Sequence, residues 1–180
     1  MMKHLKEFVI QFAGLKQGTH NFEYRIDNKF FEHFEYDEFN DAALEVAVNF
    51  NKKTTLLELH FEVYGVVNVN CDLTNEPYDQ PVQNSFDLVV KFGNEYNDEN
   101  EEILIVPHSE YEINIAQYIY ELIVLGVPQK RVHPGVVDGT LDSEILTKLE
   151  ELSPKDLKEK ENNGEIDPRW NTLKKLLTDK

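Results

Sequence analysis

Cysteine is nearly absent from this 180-residue sequence, which contains only Cys71. A single cysteine cannot form a disulfide within the chain, and this favours a reducing compartment such as the cytoplasm. Zinc sites usually take paired cysteines or histidines at short spacing, whereas the six histidines here are scattered singly. The sequence therefore predicts no internal disulfide and no metal site.

Basic residues are also few, with 18 Lys and Arg against 34 Asp and Glu and a formal net charge of −16. Broad nucleic-acid binding needs cations that neutralise phosphates, and the charge balance opposes it. Two roles of the negative charge stay open at this point. It keeps a protein soluble, and it attracts a basic partner such as a ribosomal protein.

Long apolar runs and loops typical of catalysis are missing as well. No apolar stretch approaches the length of a membrane span, so we expect no membrane association. The stretch GVVDGT, residues 135–140, has too few glycines for a phosphate loop and is not followed by Lys-Ser or Lys-Thr. Nucleophile-elbow and metalloprotease helix motifs are lacking too. We therefore predict a protein that is not an enzyme, with no cofactor and no small-molecule substrate.

What the sequence does contain is an alternation of apolar and polar residues through positions 42–92. The hydrophobic fraction of 41% and the length allow one domain with a substantial core. Period-2 alternation indicates strands with one wet and one dry face, as in antiparallel sheets. The alternation predicts four strands in meander order, which are residues 44–50, 57–64, 67–71 and 86–92.

An apolar helix is predicted over residues 114–125. Asn114 is placed to cap it, with Gln117 completing a capping box. Gly126 suits the left-handed position after a helix, and Pro128 lies just beyond. The segment between them is apolar on most of its circumference, so we expect it to cover the dry face of the sheet.

The two ends of the chain complete the predicted α+β fold. Residues 7–12 and 20–26 indicate two further strands, and residues 28–34 a short helical segment. The sheet is predicted to be antiparallel, and one form that it could take is a sheet curled toward an open barrel. The C-terminal segment is predicted to be helical. Residues 1–135 would form the sheet with its covering helix, and residues 136–180 a helical tail with an acidic linker.

In the C-terminal segment, three helices are predicted from apolar spacing and capping residues. Residues 142–152 form an amphipathic stripe, and Ser153 followed by Pro154 restarts a short helix. After a polar linker, Asp167 and Pro168 begin a last helix.

Three roles are open for Cys71. A nucleophile needs a nearby base, for which His60 and His108 are candidates, but its acidic neighbourhood disfavours a thiolate. A metal ligand needs partners that the sequence does not supply at short spacing. Because Cys71 shares the dry phase of its strand with Val67 and Val69, we favour a small apolar side chain in the core.

Two short basic stretches stand out against the acidic background. If folding brings them together, they form a patch that contacts RNA phosphates or an acidic partner. The alternative is that the cations complement helix dipoles while the tryptophan packs in a core. The candidate contact residues are Lys130, Arg131, His133, Arg169, Trp170 and Lys174.

Three sequence blocks together resemble the YceD family, the large ribosomal RNA subunit accumulation proteins. The blocks are GVVNVNCDLTNEP from residue 65, INIAQYIYELIVLGVPQKRVH from residue 113, and IDPRWNTLKKL from residue 166. Their order and spacing, from residue 65 to residue 177, carry the resemblance. The positions that match the family motifs are Cys71, Asp72, Pro128, Asp167, Pro168, Arg169 and Leu173.

The resemblance implies a non-enzymatic factor for accumulation of large-subunit (23S) ribosomal RNA, acting in ribosome assembly in the bacterial cytoplasm. Its partner would be that RNA, a basic ribosomal protein or another assembly factor. Protein escort would use an acidic face that includes Glu58, Glu62, Glu101 and Glu102. Many members carry further cysteines where this chain has Thr74 and, nearby, His133, so a metal site is not implied here.

Overall fold

The computed structural model describes residues 6–141 and 144–153. The described residues form eight strands and four α-helices, with short 3-10 turns at Lys6–Phe8 and Phe12–Gly14. The strands are β1 (Val9–Ile10), β2 (Gly18–Ile26), β3 (Asp41–Lys52), β4 (Leu56–Asn70), β5 (Pro77–Gly93), β6 (Asn97–Asn100), β7 (Ile103–Pro107) and β8 (Ile113–Asn114). The helices are α1 (Asn28–Glu32), α2 (Ala116–Gly126), α3 (Pro134–Val137) and α4 (Glu144–Leu152).

Six strands form one open sheet in the order β2-β3-β4-β5-β7-β6. Strands β2 to β5 are antiparallel neighbours, whereas β7 runs parallel to β5, and β6 pairs antiparallel with β7. Because β2 and β6 are separate edges, the sheet does not close into a barrel. The predicted α+β class is confirmed, with a sheet that is mixed at one end.

The core lies on one face of this sheet, as the alternation predicts. Along β3, residues 42, 44, 46, 48 and 50 are buried while most of the residues between them are exposed. The register places Val48 opposite Phe61 and Phe50 opposite Leu59, so large apolar side chains meet across strands. The opposite face of the sheet carries mainly polar side chains.

The predicted break near Gly65 is wrong, because residues 56–70 form the single strand β4. Gly65 keeps the phase of the strand and lies opposite Leu44 with φ of +146°. A Cβ atom there would lie 2.3 Å from the backbone oxygen of Ala43. The glycine lets β3 approach β4 closely instead of ending a strand. The stretch of residues 42–92 therefore contains three long strands instead of four.

Helix α2 covers the apolar face and packs on β4 and β5. The ends of α2 differ from the prediction in two details. The Oδ1 of Asn114 accepts the amide of Ala116 at 2.9 Å, but the side chain of Gln117 bonds Glu121 instead of completing a capping box. Gly126 is the last helical residue and not a left-handed one, and a Cβ there would lie 3.1 Å from Val82 and from Asn84. The glycine thus serves close packing of the helix on β5.

At the N-terminus, the predicted strand over residues 7–12 is reduced to Val9 and Ile10, which pair with β8. The 3-10 turns on either side bury Phe8 and Phe12 in the core, so the apolar residues pack through turns as well as through a strand. The predictions for residues 20–26 and 28–34 are confirmed by β2 and α1. The carboxylate of Asp27 caps α1 by accepting the amide of Lys29 at 3.0 Å.

The chain divides into two compact units, residues 1–141 and residues 142–180. In the second unit, the described helix α4 confirms the amphipathic helix over residues 144–152. The helices predicted from Ser153 and from Asp167 lie outside the described residues, and the predicted boundary at residue 135 stays a prediction. No helix in the described part of the chain has the length and apolar character needed to cross a membrane.

Candidate partner-binding surfaces

Two of the predicted motif blocks meet where β4 ends. The amide of Asp72 donates to the Arg131 carbonyl at 2.8 Å, and the amide of Arg131 donates to Oδ2 of Asp72 at 2.7 Å. The amide of His133 donates to the Sγ of Cys71 at 3.3 Å. We call Cys71, Asp72, Arg131 and His133 the junction. It fastens the segment after α2 to the end of β4.

Within the junction, the positive charge of Arg131 is paired with carboxylates of the same chain. Its Nη1 lies 3.1 Å from Oε2 of Glu38, and its Nε lies 3.6 Å from Oδ1 of Asp72. Only 25% of the side chain is exposed. A guanidinium between two carboxylates has little positive potential left for RNA phosphates. Of the predicted contact residues in the described part of the chain, Lys130 is the exposed cation, and His133 is half-buried.

Cys71 is 2% exposed and lies among the core residues, as its strand phase predicts. Burial by itself favours the neutral thiol. Nevertheless, hydrogen bonds from the His133 amide, the Thr74 side chain and the amides of Leu73 and Thr74 hold the pKa of Cys71 below its ordinary value. The sulfur is therefore an acceptor that ties the loop after β4 together, as well as an apolar group.

Neither histidine considered as a base lies beside this thiol. The Nδ1 of His60 lies 2.6 Å from Oδ1 of Asp87 on the polar face of the sheet, opposite to the face that buries Cys71. The ring of His108 stacks on Phe92. The Nδ1 of His133 already accepts the amide of Gly135 at 2.9 Å. These arrangements assign the imidazoles to structure instead of to activation of the thiol.

A metal fits this place poorly. Among residues 6–141 and 144–153, no group of three or more His, Cys, Asp or Glu side chains is placed to hold a metal ion. Thr74 and His133 do contact Cys71. They contact it through hydrogen bonds from a side chain and from an amide.

The four acids predicted to form one face belong to different surfaces. Glu58 and Glu62 lie on the polar face of the sheet, where Glu58 pairs with Lys53. Glu101 lines a groove elsewhere, and the backbone oxygen of Glu102 accepts the amide of Val89 at 2.8 Å. Of these four acids, Glu101 lies in the groove lining, where other acids converge with it.

This groove, of about 850 Å³, is lined by β5, β6, β7, α2 and the segment that precedes α2. Sequence reasoning did not predict it, although the run of acids and amides at residues 95–102 was a signal. We call it the acidic groove. Its carboxylates are Asp98, Glu101, Glu110, Glu112 and Glu121, and its aromatic side chains are Phe86, Tyr96 and Tyr118.

Negative charge dominates the acidic groove. No lysine or arginine is among the described residues that line it, and none of its five carboxylates forms an ion pair within the described part of the chain. Burial first, and then repulsion from groups that include Asp98 and Glu121, raise the pKa of Tyr118 to about 12. The groove therefore presents uncompensated negative potential to solvent.

Apolar surface accompanies this charge. The rings of Phe86 and Tyr118 stack with centroids 6.3 Å apart and planes 13° from parallel. At the rim, Tyr96 is 59% exposed and Leu125 is 79% exposed. Exposed aromatic and aliphatic side chains beside polar groups are typical of surfaces that contact other proteins.

The other predicted contact and motif residues, which are Asp167, Pro168, Arg169, Trp170, Leu173 and Lys174, lie outside the described residues. The structure therefore does not test whether the two basic stretches meet. Pro128 is exposed in the segment after α2, between the helix and the junction.

Comparison with protein families matches residues 59–177 to the model described as large ribosomal RNA subunit accumulation protein YceD. The match covers more than half of the chain and includes the three motif blocks. Comparison with curated proteins and with solved structures gave no match.

Proposed function

The chain belongs to the YceD family of large ribosomal RNA subunit accumulation proteins, and we propose from this that it is a non-enzymatic factor for accumulation of large-subunit ribosomal RNA. The observation that carries the proposal is the family match over residues 59–177. It would act in the cytoplasm during ribosome biogenesis. The single cysteine is compatible with that compartment.

The mode of action that we favour is contact with a basic ribosomal protein or assembly factor. The net charge of −16 attracts positively charged proteins. The acidic groove supports this mode, since it combines five carboxylates with exposed apolar side chains. Ribosomal proteins that bind RNA carry many cations, so an acidic surface complements them.

Direct contact with the RNA is the second candidate. It would use Lys130 together with Arg169, Trp170 and Lys174, while Arg131 supports it less because that side chain is paired with Glu38 and Asp72. This mode requires an affinity for RNA that falls steeply as salt is raised. Removal of these cations should then abolish binding.

An enzymatic role based on Cys71 receives less support. The thiol is buried, and its hydrogen bonds come from amides and a threonine. Among the described residues, no imidazole nitrogen is placed to take its proton. A packing and fastening role accounts for these contacts.

Depletion of the protein in its native cell tests the proposal. We expect the ratio of large-subunit to small-subunit ribosomal RNA to fall and to recover when the unaltered gene is restored. An unchanged ratio would contradict the proposed function.

The mode of contact is tested by purification of the tagged protein with and without ribonuclease. A basic protein that stays bound after ribonuclease treatment supports protein contact. RNA contact instead predicts that the bound material is lost after this treatment, and also in the variant Lys130→Ala/Arg169→Ala/Lys174→Ala.

A further inference from the structure

We propose that the acidic groove is a docking site for an arginine-rich segment of a protein partner. The inference deepens the proposed function and rests on it, since it names the surface that would hold a basic ribosomal protein. Neither the junction nor the basic residues of the sequence take part in it.

The charges of the groove favour a cationic occupant. Five carboxylates from β6, from the loops before and after β7 and from α2 converge there, and in the described part of the chain no cation of the protein pairs with them. On the polar face of the sheet, by contrast, acids have partners, as Glu45 has Arg25 and Asp87 has His60. Like charges that converge without compensation repel one another, and a bound cation removes that repulsion.

The aromatic side chains select arginine over lysine. A guanidinium is planar, stacks on aromatic rings and bonds a carboxylate through two N–H groups at once. Tyr96 and Tyr118 lie in the same groove as Asp98 and Glu121. The ammonium of lysine is compact and strongly hydrated, and therefore gains less from such a surface.

The occupant is recognised through its side chains and not as an added strand. Asn84 lies on β5 at the wall of the groove, and its side chain hydrogen-bonds backbone groups that a peptide could otherwise reach. Its Oδ1 accepts the Ser85 amide at 2.9 Å, and its Nδ2 donates to the Leu122 carbonyl at 3.0 Å. Pro81, further along β5, has no N–H to offer. This part of β5 therefore offers few backbone groups with which a peptide could pair as an added strand.

The size of the groove fits a segment with several side chains. Its volume of about 850 Å³ is near the upper end of that of small-ligand pockets, which span roughly 300–1,000 Å³. The exposed side chains of Tyr96 and Leu125, which line the groove, give it an apolar contact surface. A chain with neighbouring arginines and apolar residues satisfies both parts of the surface.

The first test measures binding of a fluorescein-labelled hexa-arginine peptide to the full-length protein. The groove variant is Asp98→Asn/Glu101→Gln/Glu121→Gln. The control variant is Glu23→Gln/Glu45→Gln/Glu62→Gln, which removes three carboxylates from the polar face of the sheet and changes the net charge equally. We expect the groove variant to weaken binding about tenfold and the control variant less than about twofold.

A second pair of variants tests the aromatic contribution. Tyr96 and Tyr64 are similarly exposed, at 59% and 53%, and the hydroxyl of each donates to a carboxylate, of Asp98 and of Glu45. Tyr96→Ala should weaken binding of hexa-arginine severalfold, whereas Tyr64→Ala should leave it unchanged. Hexa-arginine should also bind more tightly than hexa-lysine.

Three results would overturn the docking site. The first is an equal loss of affinity in the two charge variants, which would indicate general attraction to an acidic protein. The second is that the unaltered protein does not bind hexa-arginine. The third is tight binding of single-stranded RNA that the groove variant abolishes. The cellular test separates this inference from the proposed function. If depletion lowers large-subunit RNA but the groove variant restores it fully, the docking site is wrong and the proposed function stands. If hexa-arginine binds as expected and depletion changes nothing, the proposed function fails alone.

Discussion

At the scale of single residues, Cys71 combines two roles that are usually considered separately. It fills a place in the core, with 2% of its surface exposed, and its sulfur accepts hydrogen bonds from both sides of the junction. An apolar residue of similar size would meet the first requirement but leave donors such as the His133 amide without an acceptor. Buried donors that lose their partner are costly.

Replacement of Cys71 separates these roles. We expect Cys71→Ala to lower the free energy of unfolding by about 2 kcal/mol, since it removes both volume and the acceptor. Cys71→Ser keeps an acceptor and should cost about 1 kcal/mol. Urea denaturation of the two variants measures this order. If the alanine variant is as stable as the serine variant, the hydrogen bonds to sulfur contribute nothing.

The second prediction concerns the charge of His60 and its dependence on pH. The hydrogen bond with Asp87, followed by the one with Glu62, raises the pKa of His60 in the folded protein. The stabilisation from this pairing is fully present below the unfolded pKa of about 6.5, and it is lost as pH rises through the folded pKa. Titration of the ring protons by NMR should show a larger fall of this pKa in Asp87→Asn than in Glu62→Gln. An equal effect of the two variants would contradict the assignment.

At the scale of elements, the period-2 pattern predicts β3 well, because one face of that strand meets water and the other meets the core. It divides β4 at Gly65 and recovers only residues 86–92 of β5, which begins at Pro77. The same logic misses β7, where Ile103, Leu104, Ile105 and Val106 form an unbroken apolar run without alternation. The parallel pairing of β7 with β5 depends on how the chain returns after β6, which no local pattern records.

Substitution of Gly65 tests how closely β3 and β4 approach each other. The sequence reads it as a break, but the structure uses the missing Cβ to bring β3 and β4 together. Gly65→Ala should lower the free energy of unfolding by at least about 3 kcal/mol, because φ of +146° and the carbonyl of Ala43 both exclude a methyl group. Gly14→Ala is the matched control, since no atom lies within 4 Å of a Cβ there and it should change stability little. Similar losses in both variants would refute the role assigned to Gly65.

At the scale of the whole molecule, the described contacts bear on where the first unit ends. The amide of Leu141 donates to the Gly135 carbonyl at 2.8 Å, and Val136 packs against the core. Residues 136–141 therefore contribute to the unit that ends at residue 141. The boundary at residue 135 stays a prediction, and truncation can test it.

Truncation tests the boundary. A fragment of residues 1–141 should unfold cooperatively, with a midpoint close to that of the full chain. A fragment of residues 1–135 should unfold at a lower temperature, because it loses most of α3 and the contact of Val136. Thermal unfolding followed by circular dichroism makes the comparison. Equal midpoints for the two fragments would favour the earlier boundary.

The sequence by itself determined that this protein has a sheet with one wet and one dry face, an apolar helix to cover it, and a cysteine on the dry side. These features follow from local periodicity, since each residue in a pattern reports its own contact with water. Only the tertiary structure decided that Arg131 is neutralised by Glu38 and Asp72, and that acids from four separate segments converge on one groove. Ion pairs and grooves depend on distances between residues far apart in the chain, and such distances leave no periodic trace in the sequence.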